Sequence, residues 1–451
     1  MDLLHYRPLG FRKRASLLCA CLAGLAPLAG KAVDLDVYFI GNSLTRGLSQ
    51  ERLAWLFEQA GGSLDYGSQG AAGAILHEHW FKERDDGRTW RAENLETESF
   101  GDYDAALANH SFDGLILQPY QYWLETQPGD AGTNLLGDRE TIGLFMDYAM
   151  GANPESNVAT RSFYVYNTWP RLLGIHYRNP GATDDPNDYQ DSLTEYSFAD
   201  FYAESYEVTG FWDGPRRTVP TRDFVEQLME GLNADFPELE QPVRLIPVGE
   251  VFAVLDGMIR EGRLPGIEVH FTRDENAAYY LNARAGTNAF PQRLKETAFD
   301  AAYGVANFYA DRVHLNNQPH NGPEDGTIGA YVAALTMYAV LTGESPVGLP
   351  VTDATGGWER FDPVADAALV TALQEVVRDV VTSDPYTGLM TEAPTWAGYP
   401  VTDNDVVDTG DFLGWLSPGE AGWVWNYALD GWIYLPEGNV DSGGVWLYIP
   451  R

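Results

Sequence analysis

Residues 34–48 read Asp-Leu-Asp-Val-Tyr-Phe-Ile-Gly-Asn-Ser-Leu-Thr-Arg-Gly-Leu, the pattern of a strand, a tight turn and the start of a helix. The apolar run from Val37 to Ile40 predicts a buried strand, which the Gly41-Asn42 pair ends. We predict a helix over residues 46–60, with Ser43 in front of it. Such a unit places a side chain at the carboxyl edge of a parallel sheet, where open α/β folds bind their ligands.

Ser43 admits two interpretations. A serine before a helix commonly caps the helix N-terminus through its hydroxyl. A serine at the carboxyl edge of a sheet can instead attack an ester carbonyl, because the backbone N–H groups of the turn can receive the developing oxyanion. The residues around Ser43 do not choose between these roles, so the choice depends on a partner elsewhere in the chain.

A second motif, Asp311-Arg-Val-His314, lies between two helix-like segments at residues 301–310 and 327–341. An aspartate three residues before a histidine fits on one loop, where its carboxylate orients the imidazole and the other ring nitrogen faces a serine. Short motifs of this kind often arise by chance. It is therefore the pairing of Ser43 with Asp311 and His314 that favours a serine hydrolase.

Strand-like and helix-like segments alternate along most of the chain. We predict strands at residues 37–40, 63–68, 114–120, 162–167 and 243–248, and further helices at 134–150, 221–236, 250–261, 327–341 and 364–381. This alternation predicts a three-layer α/β/α fold with a central parallel sheet of about five strands, covered by helices on both faces.

Two blocks of the sequence resemble the SGNH, or GDSL-type, esterases and lipases. Gly41-Asn-Ser-Leu-Thr45 is similar to the first block of that family, and Asp311-x-x-His314 with residues 329–346 is similar to the last block of its secreted bacterial members. The resemblance extends over residues 34–385. It implies an SGNH or flavodoxin-like sheet, Ser43 as nucleophile, His314 as general base, Asp311 as the residue that orients His314, and no metal or organic cofactor.

The same resemblance implies three oxyanion donors: the backbone N–H groups of Ser43 and Gly73, and the side chain of Gln118. Gly73 lies in a glycine-containing segment after the second strand, and the alternative is that these glycines only form a tight turn. Gln118 stands where family members commonly have the asparagine of a Gly-x-Asn-Asp block. Its amide can donate an N–H, or it can simply hydrogen-bond the strand end.

Four further residues are predicted to contact the substrate: Asn42, His77, Tyr120 and Trp169. His77 belongs to a His77-Glu-His79 triplet whose spacing could bind a metal ion. No third ligand is evident, and a helix would point the two rings apart, so we predict no metal site. The histidines are then ordinary polar helix residues or walls of the site.

Residues 174–217 show little periodicity and are rich in Asp, Asn, Tyr, Phe and Trp. The segment is longer than ordinary loops, which favours a functional insertion whose aromatic and amide groups contact sugar rings. The alternative is a surface excursion packed by its own aromatic residues.

Residues 1–32 have the organisation of a bacterial secretory signal peptide. A basic region at residues 12–14 precedes an apolar run at 15–29, which is short for a membrane span, and small residues near Ala32 suit cleavage. We predict a secreted or periplasmic protein with no membrane segment after cleavage; a retained anchor is the alternative. Both cysteines, Cys19 and Cys21, lie in this segment, so the exported chain would have no disulfide, cysteine nucleophile or thiolate metal site.

The chain is strongly acidic, with 29 basic and 65 acidic residues and a net charge of −36. Without residues 1–32, 24 basic and 64 acidic residues remain and the net charge becomes −40. Such a surface repels nucleic acids and anionic membranes, so we exclude both as partners. The expected partner is a small-molecule or polysaccharide ester.

The composition changes after residue 385. Residues 386–408 are rich in Pro, Gly and Thr, which is typical of a linker and leaves 33–385 as the catalytic domain. Residues 409–451 repeat a Gly/Trp/aromatic unit, which predicts a small β-meander. This tail resembles the Gly/Trp-rich terminal modules of secreted marine bacterial proteins. It either attaches to carbohydrate or another surface, or forms a passive core of stacked aromatics.

Together these observations predict a secreted serine esterase that hydrolyses carboxylic esters through an acyl-enzyme, with an acetyl group on a carbohydrate as the favoured substrate. Two alternatives stay open. A lipid esterase would need a continuous apolar pocket, whereas residues 174–217 are largely polar. A non-catalytic carbohydrate-binding protein on the same scaffold is compatible with the departure from the family pattern at Gln118.

Overall fold

The computed structural model describes residues 32–85, 89–90, 100–120, 122–128, 134–151, 160–169, 198–206, 220–266, 314–315, 328–353, 356–358, 361–389, 395–396, 399–400, 406–409, 414–418, 423–429 and 431–435. The predicted signal peptide, except for Ala32, lies outside these residues. Its cleavage and the export of the chain therefore stay predictions.

Five parallel strands form the central sheet. They are β1 (Asp34–Gly41), β2 (Ser63–Gly70), β3 (Gly114–Leu117), β4 (Ser162–Asn167) and β5 (Arg244–Pro247). Their spatial order is β2-β1-β3-β4-β5. Because β1 pairs with β2 on one side and with β3 on the other, the carboxyl ends of these three strands lie side by side.

Helices cover both faces of this sheet. In chain order they are α1 (Ser43–Arg46), α2 (Gln50–Gln59), α3 (Leu76–Phe81), α4 (Tyr103–Asn109), α5 (Asp138–Gly151), α6 (Phe198–Tyr202), α7 (Arg222–Asp235), α8 (Val248–Arg260), α9 (Ile328–Thr342) and α10 (Ala367–Ser383). Helices α2, α8, α9 and α10 pack on one face, and α3, α4, α5 and α7 on the other. The predicted three-layer α/β/α fold with a five-stranded parallel sheet is confirmed.

The core has two halves because successive strand residues point to opposite faces of the sheet. Phe39 and Ile116 face the half that contains α2, α8, α9 and α10, whereas Tyr38 and Leu115 face the other half. All four are at most 1% exposed. Burial on both faces explains why these strands read as continuous apolar runs and not as alternating patterns.

Helix α9 is buried along its length, from Ile328 to Leu341. A helix that is apolar on all sides belongs in a large core or in a membrane. This one packs against α2, α8, α10 and β5. In the described part of the chain, no helix has the length and apolar character needed to cross a membrane.

Two of the helices that differ from their predicted bounds do so because a turn intervenes. The helix expected over 46–60 is divided, because α1 begins at Ser43 itself and α2 begins only after Ser49, which has φ = 58°. The helix expected from residue 134 begins at Asp138, because Asn134–Leu135 pairs with Gln127–Pro128 in a short antiparallel ladder. Both differences are local turns that hydrophobic periodicity does not report.

A small antiparallel sheet lies near the C-terminus, as the predicted β-meander requires. Its strands β6 (Val407–Asp408), β7 (Trp415–Pro418), β8 (Trp423–Asn426) and β9 (Gly431–Tyr434) pair in sequence order. Strand β6 falls within the range predicted as linker, so the sheet begins before the expected boundary at residue 409. Within that range, Thr395–Trp396 and Tyr399–Pro400 also form a short antiparallel pair.

Candidate active site

The predicted site residues follow three neighbouring strand ends. Ser43 follows β1, Gly73 follows β2 and Gln118 follows β3. Backbone hydrogen bonds hold these ends together. The Ala71 N–H donates to the Gly41 carbonyl at 3.2 Å, and the Gln118 N–H donates to the Ile40 carbonyl at 3.0 Å. The order of strands in the sheet therefore brings together residues that are far apart in sequence.

The turn that carries Ser43 is capped by its neighbour Asn42. Asn42 is completely buried, and its Oδ1 accepts the Leu44 N–H at 2.9 Å. This is the contact by which a side chain caps a helix N-terminus. Asn42 thus performs the capping role that was the alternative explanation for Ser43.

Ser43 and His314 form a hydrogen bond across 271 residues of sequence. The Ser43 Oγ lies 2.9 Å from the His314 Nε2. The next residue, Leu315, is completely buried in the core and anchors the histidine. Both Ser43 and His314 are partly exposed. Asp311 lies outside the described residues, and its role in orienting His314 stays a prediction.

Gln118 is 1% exposed and packs against the turn that carries Ser43. Its Oε1 accepts the Asn42 N–H at 3.0 Å and the Thr45 hydroxyl at 3.1 Å. Because a backbone N–H can only donate, this contact fixes the orientation of the amide. The Gln118 Nε2 donates to the Pro119 carbonyl at 2.5 Å. These contacts position the turn, whereas the predicted donation from Gln118 to an oxyanion stays a prediction.

The turn at residues 71–75 follows β2 and contains Gly73. Gly73 has φ = +65°, in the left-handed region that favours glycine. Among the residues that the structure describes, none accepts the Gly73 N–H, and Gly73 is partly exposed. An exposed backbone donor of this kind suits an anionic ligand. The left-handed backbone equally fits the alternative of a glycine that only forms a tight turn.

Polar side chains brace this turn. The Asn42 Nδ2 donates to the Ala74 carbonyl at 3.0 Å, and an Arg84 guanidinium nitrogen donates to the Ala72 carbonyl at 3.3 Å. Arg84 also forms a 3.4 Å ion pair with Glu78, in which the two side chains are 5% and 6% exposed. Removing either partner of a buried pair leaves an uncompensated charge, so loss of Arg84 or Glu78 alone would destabilise this region. Through Asn42, the turn is tied directly to Ser43.

The residues predicted to contact the substrate have different environments. Asn42 and Trp169 are completely buried, and the substrate contact predicted for them stays a prediction. Asn42 braces the two turns, and Trp169 stacks on Phe252 in the core with 6.1 Å between ring centroids. His77 and Tyr120 are partly exposed on segments that follow β2 and β3. Their contact with a substrate stays a prediction.

The two histidines of the His-x-His motif bind different partners. The His77 Nδ1 accepts the Leu136 N–H at 3.0 Å, and burial lowers the pKa of His77. His79 is completely buried, with its Nδ1 3.2 Å from the Gln69 Nε2. The Gln69 Oε1 accepts the Tyr103 N–H at 3.0 Å, so Gln69 must donate to Nδ1 and the proton of His79 is on Nε2. Each ring thus has a structural hydrogen bond of its own.

The environment of His79 predicts a pH dependence of stability. Burial, together with the neighbouring charge of Arg84, lowers the pKa of His79 from 6.5 to about 3. As the pH falls through this interval the unfolded chain binds the proton and the folded chain does not, so the folded state loses up to about 1.4 kcal/mol per pH unit. We expect His79→Gln to remove this loss between pH 6.5 and 4, measured as the free energy of unfolding in urea.

Asp138→Asn is the control, because Asp138 is expected to change the stability with pH in the opposite direction. Burial raises the pKa of Asp138 from 3.8 to about 7, so this group lowers the stability of the parent as the pH rises through that interval. In Asp138→Asn, the free energy of unfolding should no longer decrease as the pH rises through this interval. The amide oxygen of the variant can still accept the Trp123 N–H, which lies 3.1 Å from the Asp138 carboxylate. Parallel pH profiles for the parent and His79→Gln would contradict the environment assigned to His79.

Gly41 allows Gln118 to approach the turn that carries Ser43. A Cβ atom at this position would lie 2.8 Å from the Gln118 Oε1 and 2.9 Å from the Gln118 Cβ, and closer still to the Thr45 Oγ1. Because Thr45 and Gln118 are both buried, neither can move aside easily. We expect Gly41→Ala to lower the free energy of unfolding by about 2 kcal/mol, measured by urea denaturation.

Gly257→Ala is the matched control for this substitution. Gly257 lies within α8, and apart from the adjacent backbone of the helix itself a Cβ atom there would meet no atom within 4 Å. Alanine favours a helix over glycine by about 0.8–1 kcal/mol, so this variant should be at least as stable as the parent. Equal tolerance of both substitutions would contradict the close packing described for Gly41.

The sequence analysis did not identify the residues that brace the site. The Glu78 Oε2 accepts the Ile75 N–H at 3.1 Å, which is one half of a capping box, but Ile75 lacks the side-chain acceptor that makes such a box recognisable in sequence. Thr45 lies within the Gly41-Asn-Ser-Leu-Thr45 block, but nothing in its spacing indicates Gln118 as a partner. Arg84 has no local signal, because its contacts depend on how the chain turns after α3.

Comparisons with known proteins assign no family. No protein-family description matches the chain, and no curated protein matches it. Among solved structures, the chain is similar to a DUF4886 family protein from Bacteroides uniformis, with 14% sequence identity and a TM-score of 0.38 over 77% of this chain and 95% of that chain. A likeness this distant carries no argument about function. The fold described above depends on the sheet topology of the chain itself.

Proposed function

We propose that this chain is a serine hydrolase that cleaves carboxylic esters through an acyl-enzyme. The observation that carries the proposal is the 2.9 Å hydrogen bond between the Ser43 Oγ and the His314 Nε2. It joins the two motifs in which the sequence resembles the SGNH esterases. It also lies at the carboxyl edge of the sheet, where open α/β folds bind ligands.

In the first half-reaction, the His314 Nε2 takes the hydroxyl proton of Ser43 while the Oγ attacks the carbonyl carbon of the ester. The tetrahedral intermediate then breaks its bond to the alcohol oxygen, which receives this proton from His314. The acyl group remains on Ser43. In the second half-reaction, water attacks the acyl carbon and gives a proton to His314, which returns it to Ser43 as the acid leaves. Asp311 would hold His314 in the required tautomer, as the resemblance implies.

The backbone N–H groups of Ser43 and Gly73 would stabilise the oxyanion that forms on the carbonyl oxygen. Asn42 supports this assignment, because it caps the turn of Ser43 and holds the turn of Gly73 through hydrogen bonds of 2.9 and 3.0 Å. The relative position of the two donors is thus set before a substrate binds. Such preorganisation is the condition under which oxyanion donors lower a barrier most effectively.

For the substrate, we propose an acetyl ester on a carbohydrate, acted on after export of the chain. The resemblance to secreted SGNH esterases and the largely polar composition of residues 174–217 support this choice. Residues 174–217 support a carbohydrate substrate less than their composition suggested. Phe201 and Tyr202, which the structure describes, are each 1% exposed and belong to the core. Tyr206 is partly exposed, and its hydroxyl accepts the Leu124 N–H at 3.2 Å. Apart from Phe198 in α6, the remaining aromatic residues of this segment lie outside the described residues.

Hydrolysis of p-nitrophenyl esters, from acetyl to octanoyl, by the purified chain tests the proposal. We expect turnover with a steep preference for acetyl, and none above background with Ser43→Ala. A preference for octanoyl would keep the serine mechanism but favour a lipid substrate. Absence of hydrolysis of every ester would overturn the proposal and favour a non-catalytic carbohydrate-binding protein.

The contacts of Gln118 predict a non-additive pair of variants. Thr45→Val and Gln118→Met remove the two ends of one hydrogen bond, so their effects on kcat should overlap and not multiply. We expect each variant to lower kcat about tenfold or more, since small displacements of a nucleophile are costly. The double variant should then be no worse than the poorer single variant.

The opposite result would assign a different role to Gln118. If its Nε2 donates to the oxyanion, Gln118→Met alone should lower kcat by about 10²–10³-fold. The loss caused by Thr45→Val would then multiply with it, because the two residues would act through separate interactions. Steady-state kinetics with an aryl acetate distinguish the two cases, with KM expected to change little in either.

A further inference from the structure

Exposed aromatic residues are concentrated in the C-terminal sheet. Five of the eight exposed large hydrophobic residues in the described part of the chain lie between residues 415 and 434. Among them, Trp415 is 50% exposed, Trp432 is 49% exposed and Tyr434 is 40% exposed. Isolated exposed apolar side chains are normal, but a local cluster of this size commonly marks a binding surface.

The strand register places these residues on one side of the sheet. Ser417 is opposite Trp425, and Trp425 is opposite Trp432. Since side chains alternate along a strand, Trp415 and Tyr434 share this side. We call these four residues, Trp415, Trp425, Trp432 and Tyr434, the aromatic face.

The opposite side of the same strands is aliphatic and buried. Leu416, Val424 and Ile433 are at most 1% exposed. The sheet thus has its own apolar support without the aromatic face. Trp415, Trp432 and Tyr434 therefore do not belong to a buried core of stacked aromatics.

The charge of the region restricts what can bind there. Residues 379–450 contain no lysine or arginine, and residues 384–450 contain ten acidic residues. A polyanion such as a nucleic acid or an anionic lipid surface would be repelled. A second copy of the chain would bring its own net charge of −36, which also disfavours self-association.

We propose that the aromatic face binds a neutral polysaccharide. One side of a pyranose ring is lined by C–H groups, which stack on the planar rings of tryptophan and tyrosine. Trp425 and Trp432 contact each other edge to face, with 5.6 Å between centroids and 79° between planes. This contact orders both rings before a ligand arrives, which lowers the entropic cost of binding.

Retention by insoluble cellulose and xylan, with heparin as the anionic comparison, tests the proposal on the full purified chain. We expect retention by at least one neutral polymer and none by heparin. Trp432→Ala should weaken retention about tenfold or more, as expected for a central aromatic anchor, whereas Trp432→Tyr should largely restore it. An unchanged unfolding midpoint in urea would show that the sheet remains folded.

Leu429→Ala is the matched control, because Leu429 is 54% exposed in the turn between β8 and β9 of the same sheet but has no ring. It should leave retention unchanged. Retention by neither polymer, or equal losses for Leu429→Ala and Trp432→Ala, would overturn the proposal; the second result would favour a protein partner. Ser43→Ala should bind as the parent does, so this proposal and the esterase proposal can fail separately.

Discussion

Ser43→Ala should lower kcat/KM for an aryl acetate by at least about 10⁴-fold, the scale expected for removing the nucleophile of a serine triad. The variant keeps the capped turn, because the cap is provided by Asn42 and not by the serine hydroxyl. We therefore expect its free energy of unfolding to stay within about 0.5 kcal/mol of the parent. Steady-state hydrolysis and urea denaturation of the same preparation separate these two effects.

Ser63→Ala is the control for the loss of a serine hydroxyl. Ser63 begins β2 at the opposite edge of the sheet, and its exposed hydroxyl donates to Asp34 at 2.8 Å. Its removal should leave hydrolysis unchanged. If Ser43→Ala retained more than about a tenth of the parent activity, a nucleophile other than Ser43 would be required.

His314→Gln should lower kcat/KM for the same ester by about 10⁴-fold, because glutamine can hydrogen-bond the Ser43 hydroxyl but cannot accept its proton. We also expect the effects of Ser43→Ala and His314→Gln on kcat/KM to be non-additive. Once His314 cannot act as a base, removing Ser43 as well should cost little more, since the members of a triad act as a unit. The measurement is kcat/KM for the two single variants and the double variant.

His110→Gln is the matched control for the histidine. His110 precedes β3 at the opposite edge of the sheet, where its ring contacts Phe100 with 4.8 Å between centroids. This variant should hydrolyse the ester as the parent does. Multiplying losses for Ser43→Ala and His314→Gln would mean that the two residues do not act together, in spite of their hydrogen bond.

Much of the fold could be predicted from the sequence because the apolar strands are nearly continuous. Strand β4 was predicted with its observed bounds, Ser162–Asn167, and the helix predicted over 221–236 corresponds to α7, Arg222–Asp235. Errors occurred where a turn interrupts a periodic segment. The break between α1 and α2 depends on the left-handed backbone of Ser49. A serine in the sequence does not predict this conformation, because residues other than glycine rarely adopt it.

The site was predictable only in part. The pairing of Ser43 with His314 could be inferred because both residues lie in recognisable motifs, and the structure places them in hydrogen-bond contact. The structural roles of Asn42 and Gln118 could not be inferred from the sequence, because hydrogen-bond partners depend on side-chain direction and burial. Both have polar amides that suit a substrate contact or an oxyanion, and only their surroundings show that they hold the turns in place.

Covalent trapping of Ser43 tests the central claim most directly. The purified chain would be incubated with an aryl fluorophosphonate, which reacts with activated serines, and the modified peptide would be identified by mass spectrometry. We predict one adduct, on Ser43, that forms much more slowly in His314→Gln and is absent from Ser43→Ala. An unmodified Ser43, or labelling at the same rate without His314, would contradict the claim that these two residues form a nucleophile and its base.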